Sequence, residues 1–141
     1  MTHQRILSSL KTLRSQWCAI GRVAVTAARK VLRWEKSAPR RALHQCEVVE
    51  QFLYTALYTL AQHIAEIDEC RSRFSPEDLY ERARLEVVRT CLLMLLKCIA
   101  AWKQQIEMRL AAIADSLPGN DPLSKLVICF VPRAPGYIDP G

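Results

Sequence analysis

The chain has 141 residues, enough for one domain, and half of them are hydrophobic, which excludes a chain disordered throughout. Twenty Lys and Arg against fourteen Asp and Glu give a formal charge of +6. Of four Gly and seven Pro, only Gly21, Pro39 and Pro76 precede residue 118. The first 117 residues therefore lack the turns of a β-sandwich or of serial βαβ units, and they hold no glycine-rich phosphate loop.

Ile6, Leu10, Leu13, Trp17, Ile20, Ala24, Ala27, Val31 and Trp34 follow a 4-3-4-3 spacing. That spacing predicts one helix, over about residues 4–37, with a narrow apolar seam. Ser37 is the expected cap of the next helix, and Pro39 is tolerated in its first turn, where the missing amide has no intrahelical partner. The second helix is expected over about 40–73, on Cys46, Val49, Leu53, Leu57, Leu60, Ile64 and Ile67, fading between Cys70 and Phe74. Ser75-Pro76-Glu77-Asp78 is a strong start signal: a serine cap, proline at the first helical position and acids in the first turn. The third helix, about 76–117, follows Leu85, Val88, Leu92, Leu95, Ile99, Trp102, Ile106, Leu110, Ile113 and Leu117, and Leu117-Pro118-Gly119 stops it.

Short connections between the three imply an all-α, antiparallel three-helix bundle over residues 1–117. Residues 118–141 follow as a Pro/Gly-rich C-terminal arm packing on the bundle or on a partner. Leu126-Val127-Ile128-Cys129-Phe130-Val131 is the β-prone part of that arm and a candidate short strand. The most apolar stretch, Cys91 to Trp102, is too short for a membrane span and contains Lys97, so no transmembrane segment is expected. The first 34 residues lack acids, as a targeting peptide does, but their apolar spacing runs unbroken to Trp34 and favours a structural helix. Six cysteines without a C-x-x-C pair read as reduced, buried thiols of a cytoplasmic protein.

Charge is distributed unevenly. Residues 1–42 hold ten Lys and Arg and a single acid, Glu35, for a net +9, whereas residues 43–141 are net −3. Lys11, Arg14, Arg22, Arg29, Arg33 and Lys36 fall within an arc of about 100° on the first helix, and the spacing puts that arc on its outer face. Lys30, Arg40 and Arg41 add charge at the turn into the second helix. A solvated face normally mixes signs, and so many like charges repel without helping the fold, so these nine residues are the candidate binding surface for nucleic-acid backbone. No zinc-finger spacing, RNP1 string or short helix-turn-helix is present, so weak sequence preference is expected. The alternative is an adaptor or inhibitor that docks an acidic protein surface without nucleic acid.

The middle of the third helix is apolar nearly all round. Leu93, Met94, Ala100 and Ala101 point away from its seam, and together with Val127 and Phe130 they form the candidate interface to a second copy or a larger complex. Candidate chemistry is sparse. His44 and His63 each begin an H-x-x-E pair, with Glu47 and Glu66, but inward carboxylates from the other helices are missing for a di-metal site. Cys18 lies among the cations of the first helix, and Glu50, Tyr54 and Tyr58 form an outward polar patch. No acid–base pair, nucleophile or cofactor pocket assembles, so the expectation is a non-enzymatic protein without metal or cofactor.

Overall fold

Residues 3–116 are described in the computed structural model. They form four α-helices: α1 (His3–Ser8), α2 (Leu10–Trp34), α3 (Pro39–Asp68) and α4 (Pro76–Ser116). The three long helices pack together as an up-down-up bundle, and no strand occurs among the described residues. The arm at 118–141, with its candidate strand, lies outside them. The chain divides into two compact units, Met1–Ile106 and Glu107–Gly141, and residues 107–116 of the second are the last turns of α4.

The expected first helix is broken at Ser9. The hydroxyls of Ser8 and Ser9 donate to the Arg5 carbonyl at 3.0 and 3.1 Å, and Ser9 also reaches the Ile6 carbonyl. Serine hydroxyls that bond back to carbonyls compete with the regular ladder, and here the Ser9 amide is shared between Arg5 and Ile6. Helix α2 ends at Trp34 rather than near 37, and Ala38, not Ser37, occupies the cap position of α3 without a side-chain bond. Pro39 stands at the first helical position as its missing amide predicts.

Helix α3 ends at Asp68, short of the expected 73. Its last turn tightens into a 3₁₀ turn, Arg71–Arg73, and Phe74 is extended. The start of α4 is a capping box with Asp in the usual Glu position. Ser75 Oγ accepts the Asp78 amide at 3.1 Å, and Asp78 Oδ2 accepts the Ser75 amide at 2.9 Å.

The hairpin of α2 and α3 is the closely packed part of the bundle. Small residues at Ala24, Ala28, Ala42 and Ala56 are buried there and let the backbones approach. Gln45 Nε2 crosses from α3 to the Ala27 carbonyl of α2 at 3.0 Å. Leu10, Trp17 and Val31 of α2 and Leu53, Leu60 and Ile67 of α3 fill the core. Each of the aliphatic side chains among these contributes about 1.5–3 kcal/mol relative to exposure.

Helix α4 joins differently. Leu85, Leu92, Ile99 and Ile106 are buried, one residue per heptad, while Val88, Leu95 and Trp102 of the expected seam are only half-buried. Ile113, near the end of that seam, is half exposed, and Leu117 lies outside the described residues. Replacing Ser75 with Ala removes one half of the capping box and should cost about 1 kcal/mol. Urea unfolding followed by circular dichroism checks this, with an unchanged midpoint as the contrary result.

Candidate binding surfaces

The cations of α2 are not one open stripe. Arg14, expected on the outer face, is half-buried: its Nε donates to Glu81 Oε2 of α4 at 2.7 Å. Glu81 is the buried charged side chain among the described residues, 6% exposed. The reason is the position of α4, which packs against α2 beside the basic arc and draws the edge of that arc into the bundle. Two more ion pairs tie α4 to α3. Asp68 receives both Nε and Nη2 of Arg82, at 2.8 and 3.0 Å. Glu50 Oε1 lies 3.1 Å from Lys103 Nζ, close enough to attract but not aligned as a hydrogen bond.

These pairs revise one expectation. Glu50 belongs to an interhelical contact and not to an outward patch, although Tyr54 and Tyr58 are exposed. The acids Asp68 and Glu81 are likewise engaged within the bundle. The hydrogen bond from Arg14 holds the Glu81 carboxyl below the usual carboxylate range, with Arg84 and Lys11 adding to the effect. Arg82 does the same to Asp68.

The remaining expected cations divide into two groups. Arg22 and Arg29 are exposed and border a groove between α2 and α4 of about 490 Å³. Lys30, Arg33 and Lys36 are exposed near the α2–α3 turn, with no ion pair among the described residues. Arg41 is exposed beside them, and its guanidinium lies 4.1 Å over the Trp34 ring, so that ring face is already covered. Arg40 is half-buried, and Lys11 is exposed one turn before Arg14.

On α4, Leu93, Met94, Ala100 and Ala101 are all exposed, in keeping with the apolar girth of that helix, while Val127 and Phe130 lie outside the described residues. The thiols depart from expectation. Cys46 and Cys70 are buried, Cys18 is half-buried, and Cys91 and Cys98 are exposed. Cys18 and Cys91 both line the groove, from its opposite walls.

His44 is exposed. His63 is half-buried, and its Nδ1 accepts the Trp17 indole N–H at 3.2 Å with the rings edge to face. Nothing in the spacing announced that bond, nor the Gln45 cross-link, because both depend on how two helices meet. Among the described residues no three His, Cys, Asp or Glu side chains converge as metal ligands. No described helix is long and apolar enough to cross a membrane. No family model, no curated protein and no solved structure matches this chain.

Two outcomes follow from these contacts. The folded chain resists protonation of Asp68 and Glu81, whose usual values are 3.8 and 4.5. The stability they contribute is full above those values and is lost as pH falls through their lower folded ones. The thermal midpoint should therefore drop below about pH 5. Glu81→Gln should lower the midpoint at neutral pH, because Arg14 loses its partner, and should also shrink the acid-induced drop. Scanning calorimetry across pH checks this, and an equal drop in both proteins would contradict it.

Gly21 sits inside α2, and nothing lies within 4 Å of the place an added methyl group would take, so the fold has no steric need for glycine there. Gly21→Ala should stabilise the chain by about 0.5–1 kcal/mol, since glycine is the more costly helix residue. The urea midpoint checks the sign.

Proposed function

We propose that the protein is a non-enzymatic helical subunit that binds nucleic-acid backbone at the α2–α3 end of its bundle, within an oligomer or larger nucleoprotein complex. The observation that carries this reading is the group Lys30, Arg33, Lys36 and Arg41, exposed and without ion pairs among the described residues. The acids that pair across the helices, Glu81, Asp68 and Glu50, take Arg14, Arg82 and Lys103 as partners. The end group is left to act on something outside the bundle. Its side chains are long, fully charged donors suited to phosphate oxygens. The sequence carries no zinc-finger spacing, RNP1 string or short helix-turn-helix, which supports backbone contact without strong sequence preference.

The exposed Leu93, Met94, Ala100 and Ala101 support a subunit that works in company, because apolar area of this kind on a single helix is what protein contacts cover. Titration of labelled single- and double-stranded DNA and RNA across a salt series tests the proposal. Four phosphate contacts predict that log K falls with log salt at a slope of about −3 to −4 on duplex DNA. The charge reversals Arg33→Glu, Lys36→Glu and Arg41→Glu together should reduce affinity at least about a hundredfold at low salt. Absent or salt-insensitive binding at low salt would overturn the reading and leave the group as a contact for an acidic protein surface.

A further inference from the structure

The α2–α4 groove is a separate surface from the turn-end cations. Its walls are Val25 on α2 and Val88, Leu92 and Leu95 on α4, and its lining holds Arg22 and Arg29 and no acid among the described residues. Val25 is 40% exposed and Val87, on the α4 rim, is 61% exposed. Helix α4 carries two heptad rows. Leu85, Leu92 and Ile99, seven apart, are buried in the bundle, whereas Val87, Cys91, Met94, Cys98 and Ala101 follow a 4-3-4-3 spacing and stand exposed. A second row of that spacing is what a helix presents to another helix, and its first two members, Val87 and Cys91, line the groove. Helices α2 and α4 run in the same direction on either side of the groove, so a helix laid antiparallel to both would complete a four-helix arrangement.

Gly21 adds an independent observation. It lines the groove in the interior of α2, where glycine weakens the helix, and nothing among the described residues crowds the space a side chain would fill. The missing side chain leaves room for a backbone to come close.

We infer that the α2–α4 groove is a docking site for one amphipathic helix of an acidic partner protein. Its apolar face would lie on Val25, Val87 and Leu95, its backbone would cross close to Gly21, and carboxylates seven residues apart would meet Arg22 and Arg29. The matching spacing follows from Arg22 and Arg29 themselves, two helical turns apart on one wall. Charge argues against a second copy's α4 as the occupant. Between residues 84 and 97 that helix holds Arg84, Arg89 and Lys97 with only Glu86 to offset them, so it would bring cations onto Arg22 and Arg29.

The test titrates the full chain with a synthetic helical peptide of about four heptads, with leucine at its core positions and glutamate at flanking positions seven apart. A second peptide carries lysine at those positions. The glutamate peptide should bind with a Kd of about 10 µM or tighter and the lysine peptide at least about tenfold more weakly. The double variant Arg22→Glu/Arg29→Glu should reverse that preference. Gly21→Leu should weaken the glutamate peptide at least about tenfold without lowering the thermal midpoint, since an added Cβ meets nothing within 4 Å and leucine is the better helix residue. Alkylation of Cys91 should slow when the peptide is bound. The triple reversal Arg33→Glu/Lys36→Glu/Arg41→Glu should leave peptide binding unchanged, so failure of the groove and failure of the nucleic-acid reading are read separately.

Three results would overturn the inference. They are no saturable binding of either peptide, equal binding by wild type and Gly21→Leu, and a concentration-dependent dimer that Gly21→Leu dissolves.

Discussion

Arg14 and Glu81 are 67 residues apart in the chain and 2.7 Å apart in the fold. Their pairing fixes how far α4 is shifted along α2 and on which side of α2 it lies. A leucine or isoleucine buried once per heptad tolerates sliding and rotation, because apolar contact has no direction. The buried carboxylate of Glu81 does not tolerate them, since a misplaced Arg14 would leave its charge uncompensated. Arg82 with Asp68 and Lys103 with Glu50 lie along the other flank of α4, where they are more open to water and less exacting. The α2–α3 hairpin needs less of this, because its alanines bring the backbones together and Gln45 pins them.

The placement of α4 sorts the cations of the chain. Those at its three contacts became structural: Arg14, Arg82 and Lys103 neutralise carboxylates between helices. Those past its edge kept their charge for other uses. Arg22 and Arg29 border an apolar groove, whereas Lys30, Arg33, Lys36 and Arg41 gather at the α2–α3 end away from it. One stripe on a helical projection is thus three environments in the fold, and each favours a different kind of contact. A guanidinium beside valine and leucine side chains suits a carboxylate on an apolar helix. Clustered cations at a turn suit a polyanion whose charge repeats along its length.

The same placement accounts for what is exposed. An α4 held by one buried residue per heptad leaves its second apolar row, Val87 to Ala101, facing outward. The sequence already signalled this in the near-uniform apolar girth around Leu93 and Met94. It could not say which row would be inside, because both have the spacing of a helix contact. Two of the thiols followed the outward row, which is why Cys91 and Cys98 are exposed although a free cysteine is usually buried.

Local chemistry alone determined the all-α class, the three long helices and the start of α4. Seam spacing, scarce glycine and proline, and the Ser75–Asp78 cap all act within a few residues. Helix ends were less legible where competing bonds are also local but weak: the serine hydroxyls at Ser9, and the 3₁₀ tightening after Asp68. Only the tertiary structure decided which cations are free, that Glu50 and Glu81 turn inward, and that a groove opens between α2 and α4. Those features depend on the rotation of one helix about another. Periodicity gives the face each helix prefers to bury, but the rotation is chosen by pairs such as Arg14 and Glu81, whose encounter leaves no trace in the spacing of either helix.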